Sequence, residues 1–445
     1  MCKMMDMAGL IKTAERGVNS AAYGCIKTAE RGVNATAYGC IKPAARGVNA
    51  AAHGCMKPAA RGINAAARGM KLTAIFLLLL LSVVLVAGCS RPTARKDTDG
   101  ATATDGLTAA DSAAQVTDHG ARGDVARHIM AVCRRHGVTV TQLLPVTPVK
   151  NQGRSDLCWV YAALAAIEST HAAAGDSVNL SPDYLARNML MRQARLNWLS
   201  RGRHDMSMRG TLPMALHLLR EDGAMPYDSY STPSPINWRA TSRRAVLAAN
   251  CEPTFDRAER AVATCADNAV GSVPPHVFML GAEYSPVDFA QSVCRSDEWH
   301  MFTSFTHHPF GRDIQLELAD NQFGDTFHNV PLDTLIHLLD RSLDNARAVG
   351  WEGDISEEGF RWAAGVADVP RTVACTQQER QRQFDRRLTT DDHCLTIVGR
   401  AVSRRGTRYY IAKNSWGATN ALRGFILLSE RYVRMKTVAL MVGAE

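Results

Sequence analysis

The chain has 445 residues, of which 46% are hydrophobic and 21% are charged, and this composition is that of an ordinary globular protein. Its formal net charge of +8 is concentrated at the start, because residues 1–69 carry +7 and the remaining residues only +1. The body of the chain therefore gives no charge argument for nucleic acid or for acidic partners. No Cys-x-x-Cys pair occurs among the twelve cysteines, so zinc-ribbon spacing is excluded and no structural metal is expected.

Residues 1–69 contain an internal repeat with a period of 15 residues, which begins at Glu15. Each copy, such as ERGVNSAAYGCIKTA, holds only two or three large apolar residues, which is too few for a core. The period is also shorter than that of common solenoid repeats. We interpret the segment as a translated tandem DNA repeat upstream of the natural start, which we expect at Met70. The alternative is a basic amphipathic segment that touches a membrane, which the frequent glycines disfavour.

An apolar run of 15 residues, 74–88, follows Lys71 and ends at Cys89. The run is short for a membrane span and typical of a signal-peptide core. Its last residues, LVAGC, resemble the lipobox of bacterial lipoproteins, which implies that Cys89 is lipidated and becomes the new N-terminus. We therefore predict that residues 70–89 are a lipoprotein signal and that the protein is exported to a bacterial cell envelope. The absence of an aspartate at Ser90 favours the outer membrane, and an ordinary secretory signal or short membrane anchor is the alternative.

Residues 90–124 are rich in Thr, Ala, Asp and Gly and contain few large apolar side chains. Such a composition does not offset the entropy lost on ordering, so we predict a flexible tether. A packed pattern begins near Val125 and predicts a short helix followed by an extended run. The folded body is therefore expected to span residues 125–445.

Cys158 follows a polar, turn-like run and precedes a stretch of Ala, Leu, Val and Ile that no Gly or Pro interrupts until Gly175. This stretch predicts a buried helix with Cys158 in its first turn. Unpaired N–H groups and the helix dipole favour a thiolate there, which is the reactive form of cysteine. Gln152 lies six residues upstream and offers an amide donor to an oxyanion. The alternative is that Cys158 is a buried structural thiol.

Three motifs resemble those of the papain-like cysteine peptidases. NQGRSDLCW, around Cys158, is similar to the family's nucleophile motif. DDHCLTIVG, around His393, resembles its histidine strand, and YYIAKNSWG, around Asn414, resembles its asparagine motif. The resemblance covers Leu144 to Glu445 and implies an α+β fold with two lobes. A helical lobe led by the Cys158 helix would face a sheet lobe that carries His393 and Asn414, with the active site in the cleft between them.

The resemblance implies thiol-dependent hydrolysis of peptide bonds in a peptide or protein substrate. His393 would deprotonate Cys158 and later protonate the leaving amine, and Asn414 would orient His393. Trp416 would cover that hydrogen bond, while Gln152 and the backbone N–H of the nucleophile would hold the oxyanion. Two alternatives stay open, a catalytically silent module that binds peptides in the same cleft and an acyltransferase that uses an amine in place of water.

MSMRGTLPMALHLLREDGAMPYDSY, from Met206, resembles the family's cleft segment, in which two glycines bind the substrate backbone. Gly210 matches the second glycine, and Arg209 replaces the first. This change would alter the subsite for the second residue before the scissile bond (P2) and favour an acidic or blocked substrate end, unless Arg209 is only a solvated loop residue. Trp159, next to the nucleophile, is expected in the core. Ser155 stands where secreted papains have a disulfide cysteine.

The separation of 235 residues between Cys158 and His393 is roughly 90 longer than in the papain and cathepsin branch. We place the extra residues in an insert at about 240–380. Within it, leucines at helical spacing predict a helix over 331–346, and AVGWEG predicts a strand over 348–353. The long separation and Ser155 resemble the bleomycin hydrolase and aminopeptidase C branch more than the secreted papains. The aminopeptidase specificity and hexameric assembly of that branch are not carried over, because the chain ends soon after its last strand.

Several residue types that form other sites are also present. No acidic spacing supports a metal at the histidines of the insert, and no cofactor is expected. Cys251 and Cys265 close a short loop and are the best candidates for a disulfide, although most cysteines are equally explained as small buried apolar residues. The expected partners are a peptide or protein substrate and a membrane, through the lipid at Cys89. The histidines of the insert that were considered as metal ligands are His307, His308 and His328.

Overall fold

The computed structural model describes residues 123–279, 281–295 and 297–444. The predicted repeat, the predicted signal with Cys89 and nearly all of the predicted tether lie outside these residues. Within the described ranges, no helix has both the length and the apolar character that crossing a membrane requires.

Helices make up most of the first half of the described chain, and strands most of the second half. The helices are α1 (123–135), α2 (Cys158–Ala174), α3 (Pro182–Leu199), α4 (Leu212–Asp222), α5 (Trp238–Asn250), α6 (Phe255–Val270), α7 (Pro286–Val293), α8 (Leu332–Asp344), α9 (Gln377–Asp385) and α10 (Glu430–Lys436). The strands are β1 (Val138–Leu143), β2 (Val277–Met279), β3 (Ala282–Tyr284), β4 (Trp299–Thr303), β5 (Arg312–Ile314), β6 (Phe327–Asn329), β7 (Val349–Gly353), β8 (Phe360–Arg361), β9 (Val366–Ala367), β10 (His393–Ser403), β11 (Arg408–Lys413), β12 (Phe425–Ser429) and β13 (Thr437–Gly443).

One large sheet carries most of the strands, in the order β5-β6-β4-β13-β7-β10-β11-β12-β9-β8. Its central strand is β10, which pairs with β11 along one edge. Along the other edge, β7 pairs with the first half of β10 and β1 pairs with the second half. His393 is the first residue of β10 and lies opposite Gly353 of β7. The sheet therefore presents His393 at one end of its central strand.

Helices α2 to α7 pack on one another and form the helical lobe, with α2 against β10 and β7 of the sheet. Helix α2 begins at Cys158, as the sequence predicts, and ends at Gly175, whose φ of 99° is a left-handed conformation that suits glycine. The Thr396 hydroxyl of β10 donates to the Ala162 carbonyl at 2.8 Å. This contact ties the helix that carries the cysteine to the strand that carries the histidine.

Glu168 anchors α2 from its interior, because its carboxylate is fully buried among polar partners. It pairs with Lys150, accepts from the Thr147 hydroxyl and accepts from the Leu180 N–H at 2.8 Å. Burial works to raise the pKa of Glu168, but the charges of Lys150 and Lys413 and these hydrogen bonds lower it below its ordinary value. The charged form of Glu168 is therefore part of the folded state.

Two predictions for the stretch 240–380 are confirmed, since the predicted helix is α8 and the predicted strand is β7. This stretch also joins the main sheet, where β7 lies between β13 and β10.

The proposed disulfide between Cys251 and Cys265 is wrong, because both cysteines are free, as are the other five that the structure describes. Cys251 caps the end of α5, whereas Cys265 lies within α6. At 1.5 Å per residue, ten residues of helix put Cys265 about 15 Å beyond the start of α6, far outside disulfide reach.

Candidate active site

Cys158 is half-buried at the start of α2, where the Leu157 carbonyl accepts the first hydrogen bonds of the helix, from Val160 and Tyr161. The next residue, Trp159, is fully buried, and its indole N–H donates to the Met208 carbonyl at 3.0 Å. This contact confirms Trp159 as a core residue. It also fixes the first turn of α2 and so sets the position of the thiol.

His393 and Asn414 form a buried pair, each less than 5% exposed. His393 Nε2 lies 2.9 Å from Asn414 Oδ1, and the Ser415 backbone N–H donates to the same oxygen at 2.7 Å. Because a backbone N–H is always a donor, the oxygen of the Asn414 amide must face His393, and Nε2 must carry the proton. The ring of Trp416 lies 4.7 Å from that of His393, at an angle of 35°. The structure thus brings His393, Asn414 and Trp416 together.

Gln152 joins the segment before the nucleophile to the segment after Asn414. Its backbone N–H donates to the Ser415 carbonyl at 2.8 Å. Its side-chain oxygen accepts from the Ser415 hydroxyl at 2.6 Å, and its Nε2 donates to the Ser155 carbonyl at 2.7 Å. An amide nitrogen has two hydrogens, so one N–H remains for another acceptor beside Cys158.

The thiol and the imidazole shift one another's proton affinity. Hydrogen bonds from Cys394 and His393, with the charge on His393, lower the pKa of Cys158 well below its ordinary value despite burial. Burial works to lower the pKa of His393, but the hydrogen bond and charge of Cys158 raise it, with help from Asn414. Both shifts favour a thiolate paired with an imidazolium.

Cys394 is a neighbour of the nucleophile that the sequence analysis missed. It is buried beside Cys158, and burial followed by the nearby Cys158 raises its own pKa well above the ordinary value. It therefore stays a neutral thiol that can donate to the Cys158 sulfur. The position of Cys394 directly after His393 in the sequence is the signal that could have predicted this contact.

Gly210 and Arg209 lie beside the nucleophile, on the lining of a cleft of about 250 Å³. A Cβ on Gly210 would come within 2.8 Å of the Trp159 indole, which gives this glycine a packing reason. Arg209 pairs with Asp320 at 2.7 Å. This ion pair neutralises Arg209 and counts against the expected preference for an acidic substrate end.

Asp391 and Glu352 are two further acids beside the cleft that the sequence analysis missed. Asp391 lines the cleft, and fully buried Glu352 contacts its carboxyl group. Burial raises the pKa of Glu352 to about 8, and burial with the charge of Glu352 raises that of Asp391 well above its ordinary value. The sequence signal for Glu352 is that an acidic residue stands within an otherwise apolar predicted strand. Asp392 instead accepts from the Ile355 N–H at 2.8 Å, a local hydrogen bond away from the thiol.

The histidines of the insert do acquire acidic partners. His307 and His308 each lie 2.9 Å from a Glu317 oxygen. The Thr306 N–H donates to Gln381 Oε1, which turns the Gln381 amide N–H toward His307 Nδ1. Nε2 of His307 must then carry the proton that Glu317 accepts, so hydrogen bonds within the group account for its geometry. The third histidine, His328, pairs with Asp313.

Comparison with known proteins supports the fold. No protein-family model matches the chain. Aminopeptidase G of Lactobacillus delbrueckii subsp. lactis is 24% identical over 352 residues, which covers 65% of this chain and 79% of that protein. The crystal structure of PepW from Lactobacillus rhamnosis matches with a TM-score of 0.50 at 15% identity, over 76% of this chain and 89% of that chain. Likeness at that identity concerns the fold alone.

Proposed function

We propose that this chain is a papain-like cysteine peptidase, which its similarity to aminopeptidase G supports, and that it hydrolyses peptide bonds with Cys158 as its nucleophile. The observation that carries the proposal is the convergence of Cys158, His393 and Asn414 with an anchored Gln152 amide. These groups come from the start of α2, the start of β10, the residue directly after β11 and the turn before α2.

In the first step the Cys158 thiolate attacks the carbonyl carbon, and a C–S bond forms as the carbonyl oxygen gains negative charge. The free N–H of Gln152 and the backbone N–H of Cys158 would stabilise that oxyanion. His393 then gives its proton to the leaving amine as the C–N bond breaks. Water attacks the acyl-enzyme and loses a proton to His393 as the C–O bond forms. Release of the thiolate restores the ion pair.

Asn414 and Trp416 act through His393. The amide oxygen of Asn414 accepts from Nε2 and so keeps the opposite nitrogen toward the thiol. The Trp416 ring lies beside the same imidazole and shields the hydrogen bond from water. Both are positioning residues in this proposal, because neither contacts the reacting atoms.

The test is cleavage of a peptide library by residues 125–445, read by mass spectrometry. Wild type should release products, and Cys158→Ala should release none, while Cys251→Ala, at an exposed thiol outside the site, should act as wild type. Residual hydrolysis by Cys158→Ala would contradict the proposal. Peptides that bind uncut to wild type would indicate a silent module, and products joined to an added amine would indicate acyl transfer.

The finer features of the proposal concern substrate and location. The relative's name, aminopeptidase, is a reason to include substrates with a free N-terminus in the library. We also propose that the protein is an exported lipoprotein anchored at Cys89, on the strength of the LVAGC sequence after an apolar run. Labelled palmitate should be incorporated by the full chain expressed from Met70, and Cys89→Ala should abolish labelling and membrane fractionation. Unchanged labelling would contradict the anchor.

A further inference from the structure

Cys158 and Cys394 form a pair of thiols in the wall of the catalytic cleft. Both residues line the cleft of about 250 Å³. The Cys158 sulfur accepts two hydrogen bonds from Cys394, one from its thiol and one from its backbone N–H. Neither residue is in a disulfide, so the pair is reduced. The peptidase reaction uses the sulfur of Cys158 and makes no covalent use of the sulfur of Cys394.

The packing of α2 on β10 places the two cysteines opposite one another. The Thr396 hydroxyl donates to the Ala162 carbonyl at 2.8 Å. Cys158 lies four residues before Ala162, about 6 Å along α2, and Cys394 lies two residues before Thr396, about 6.6 Å along β10. Residues two apart on a strand share a face, so Cys394 lies on the face that meets α2. The nearly equal steps along helix and strand keep the two cysteines side by side.

The backbones of the pair are close enough for a disulfide. A disulfide joins Cα atoms that are about 4.4–6.8 Å apart. Because the backbone N–H of Cys394 reaches the Cys158 sulfur, a single side chain separates the two backbones. The contact between Thr396 and Ala162 holds the strand and the helix at that separation.

The two thiols differ in reactivity and in access. The hydrogen bond from the Cys394 thiol and the contact with His393 lower the pKa of Cys158 despite burial, so Cys158 is the thiolate. Burial and then the neighbouring Cys158 raise the pKa of Cys394, which stays a thiol. Cys158 is half-buried, whereas Cys394 is 2% exposed. A peroxide oxidises the accessible thiolate of such a pair first.

We propose that Cys394 is a resolving cysteine, which closes a reversible disulfide with Cys158 after a peroxide has oxidised the nucleophile. The proposal concerns regulation of the proposed catalytic site and rests on that function for its effect on activity. In the first step the Cys158 thiolate attacks an oxygen of hydrogen peroxide, so that an S–O bond forms and the O–O bond breaks. The hydroxide that leaves takes the proton of His393 and becomes water.

In the second step the Cys394 sulfur attacks the sulfur of the Cys158 sulfenic acid. The S–S bond forms as the S–O bond breaks, and the hydroxyl group leaves as water with the proton of the Cys394 thiol. The two sulfurs have then given two electrons to the peroxide, which has become two water molecules. The disulfide protects the nucleophile, because further oxidation of a sulfenic acid gives a sulfinic acid that thiols do not reduce.

The test exposes the purified full chain to hydrogen peroxide and then to dithiothreitol. Trypsin places the two cysteines in separate peptides, 155–187 and 388–400, so a cross-link between these peptides identifies the disulfide by mass spectrometry. The extent of Cys158 alkylation by iodoacetamide and the rate of peptide hydrolysis are two further readouts. In wild type we expect the cross-link, the loss of alkylation and hydrolysis after peroxide, and nearly full return of both after dithiothreitol.

The main variant is Cys394→Ser, which keeps a hydrogen-bond donor and has no thiol. We expect its Cys158 to gain two or three oxygen atoms, and dithiothreitol to restore almost none of the alkylation or hydrolysis that this variant had before peroxide. Cys394→Ala should behave in the same way, and alkylation before peroxide reports whether each variant retains its site. The matched control is Cys133→Ser, at another buried thiol, in α1, and it should recover as wild type does.

Two results would overturn the proposal. One is a wild type without the cross-link, in which dithiothreitol restores nothing. The other is full recovery of Cys394→Ser, because a backbone nitrogen would then have trapped the Cys158 sulfur as a sulfenamide. A cross-link in a chain that hydrolyses no peptide before peroxide would sustain the thiol pair and defeat the peptidase function. Hydrolysis without a cross-link would do the reverse.

Discussion

Replacing Gln152 with alanine is the sharpest test of the oxyanion role. In the folded protein one N–H of the Gln152 amide donates to the Ser155 carbonyl, and the amide oxygen accepts from the Ser415 hydroxyl. The second N–H is left for the oxyanion. Loss of such a donor lowers kcat by about 10²- to 10³-fold, or roughly 2.7–4 kcal/mol of transition-state stabilisation. KM should change little, because the charge that this N–H meets develops only in the transition state.

The same substitution also removes two hydrogen bonds of the folded state. At about 1 kcal/mol each, the free energy of unfolding should fall by roughly 2 kcal/mol, which urea denaturation would measure separately from activity. Alkylation of Cys158 by iodoacetamide needs no oxyanion, so its rate should stay close to that of wild type. Ser415→Ala removes only the hydroxyl that donates to the Gln152 amide oxygen. We expect kcat to fall by about tenfold, because the Gln152 amide is then less well oriented by one hydrogen bond. A Gln152→Ala enzyme within threefold of wild-type kcat, or one whose alkylation slows as much as its turnover, would refute the reasoning.

Five further outcomes are expected. The pH profile of kcat/KM should be bell-shaped, with its acid limb at the lowered pKa of Cys158 and its alkaline limb at the raised pKa of His393, because the ion pair exists only between them. Mass spectrometry after brief alkylation near neutral pH should find label on Cys158 and none on Cys394, whose pKa is raised. Asn414→Ala should lower kcat by about 10²-fold through loss of imidazole orientation, with an intact fold by circular dichroism. Glu168→Ala should lower the free energy of unfolding by about 3–5 kcal/mol, since the part-buried Lys150 ammonium loses its counter-charge. In wild type, the lowered folded-state pKa of Glu168 adds stability that is present above about pH 4.3 and lost as the pH falls through the folded value, and acid titration of unfolding would follow it.

The helices and strands that were predicted correctly are those whose signals are local. The Ala-rich run after Cys158 determines a helix by its own propensity, and Gly175 ends it. The motif around His393 is an apolar run that begins the central strand, and Asn414 directly follows a second such run. Helices and strands with such local patterns form in the folded protein because the tertiary contacts stabilise the same conformation.

The groups that were missed depend on contacts between distant parts of the chain. Asp320 meets Arg209 across 111 residues, and no spacing in the sequence relates them. Glu352 reaches Cys394 only because β7 and β10 pair in one register, and a shift of one residue would turn its side chain to the other face. The expected disulfide failed for the opposite reason. Its cysteines are close in sequence, but a helix separates them in space.

The rim and the floor of the cleft are formed by different segments of the chain. The loop 315–326, between β5 and β6, supplies Asp320 to the Arg209 side chain and Gln322, which donates to the Arg209 carbonyl at 2.7 Å. The groups around the thiolate come from α2, β10 and the residues next to β11, and none comes from this loop. A change within this loop would therefore alter the rim of the cleft around Arg209 and leave the groups around the thiolate in place.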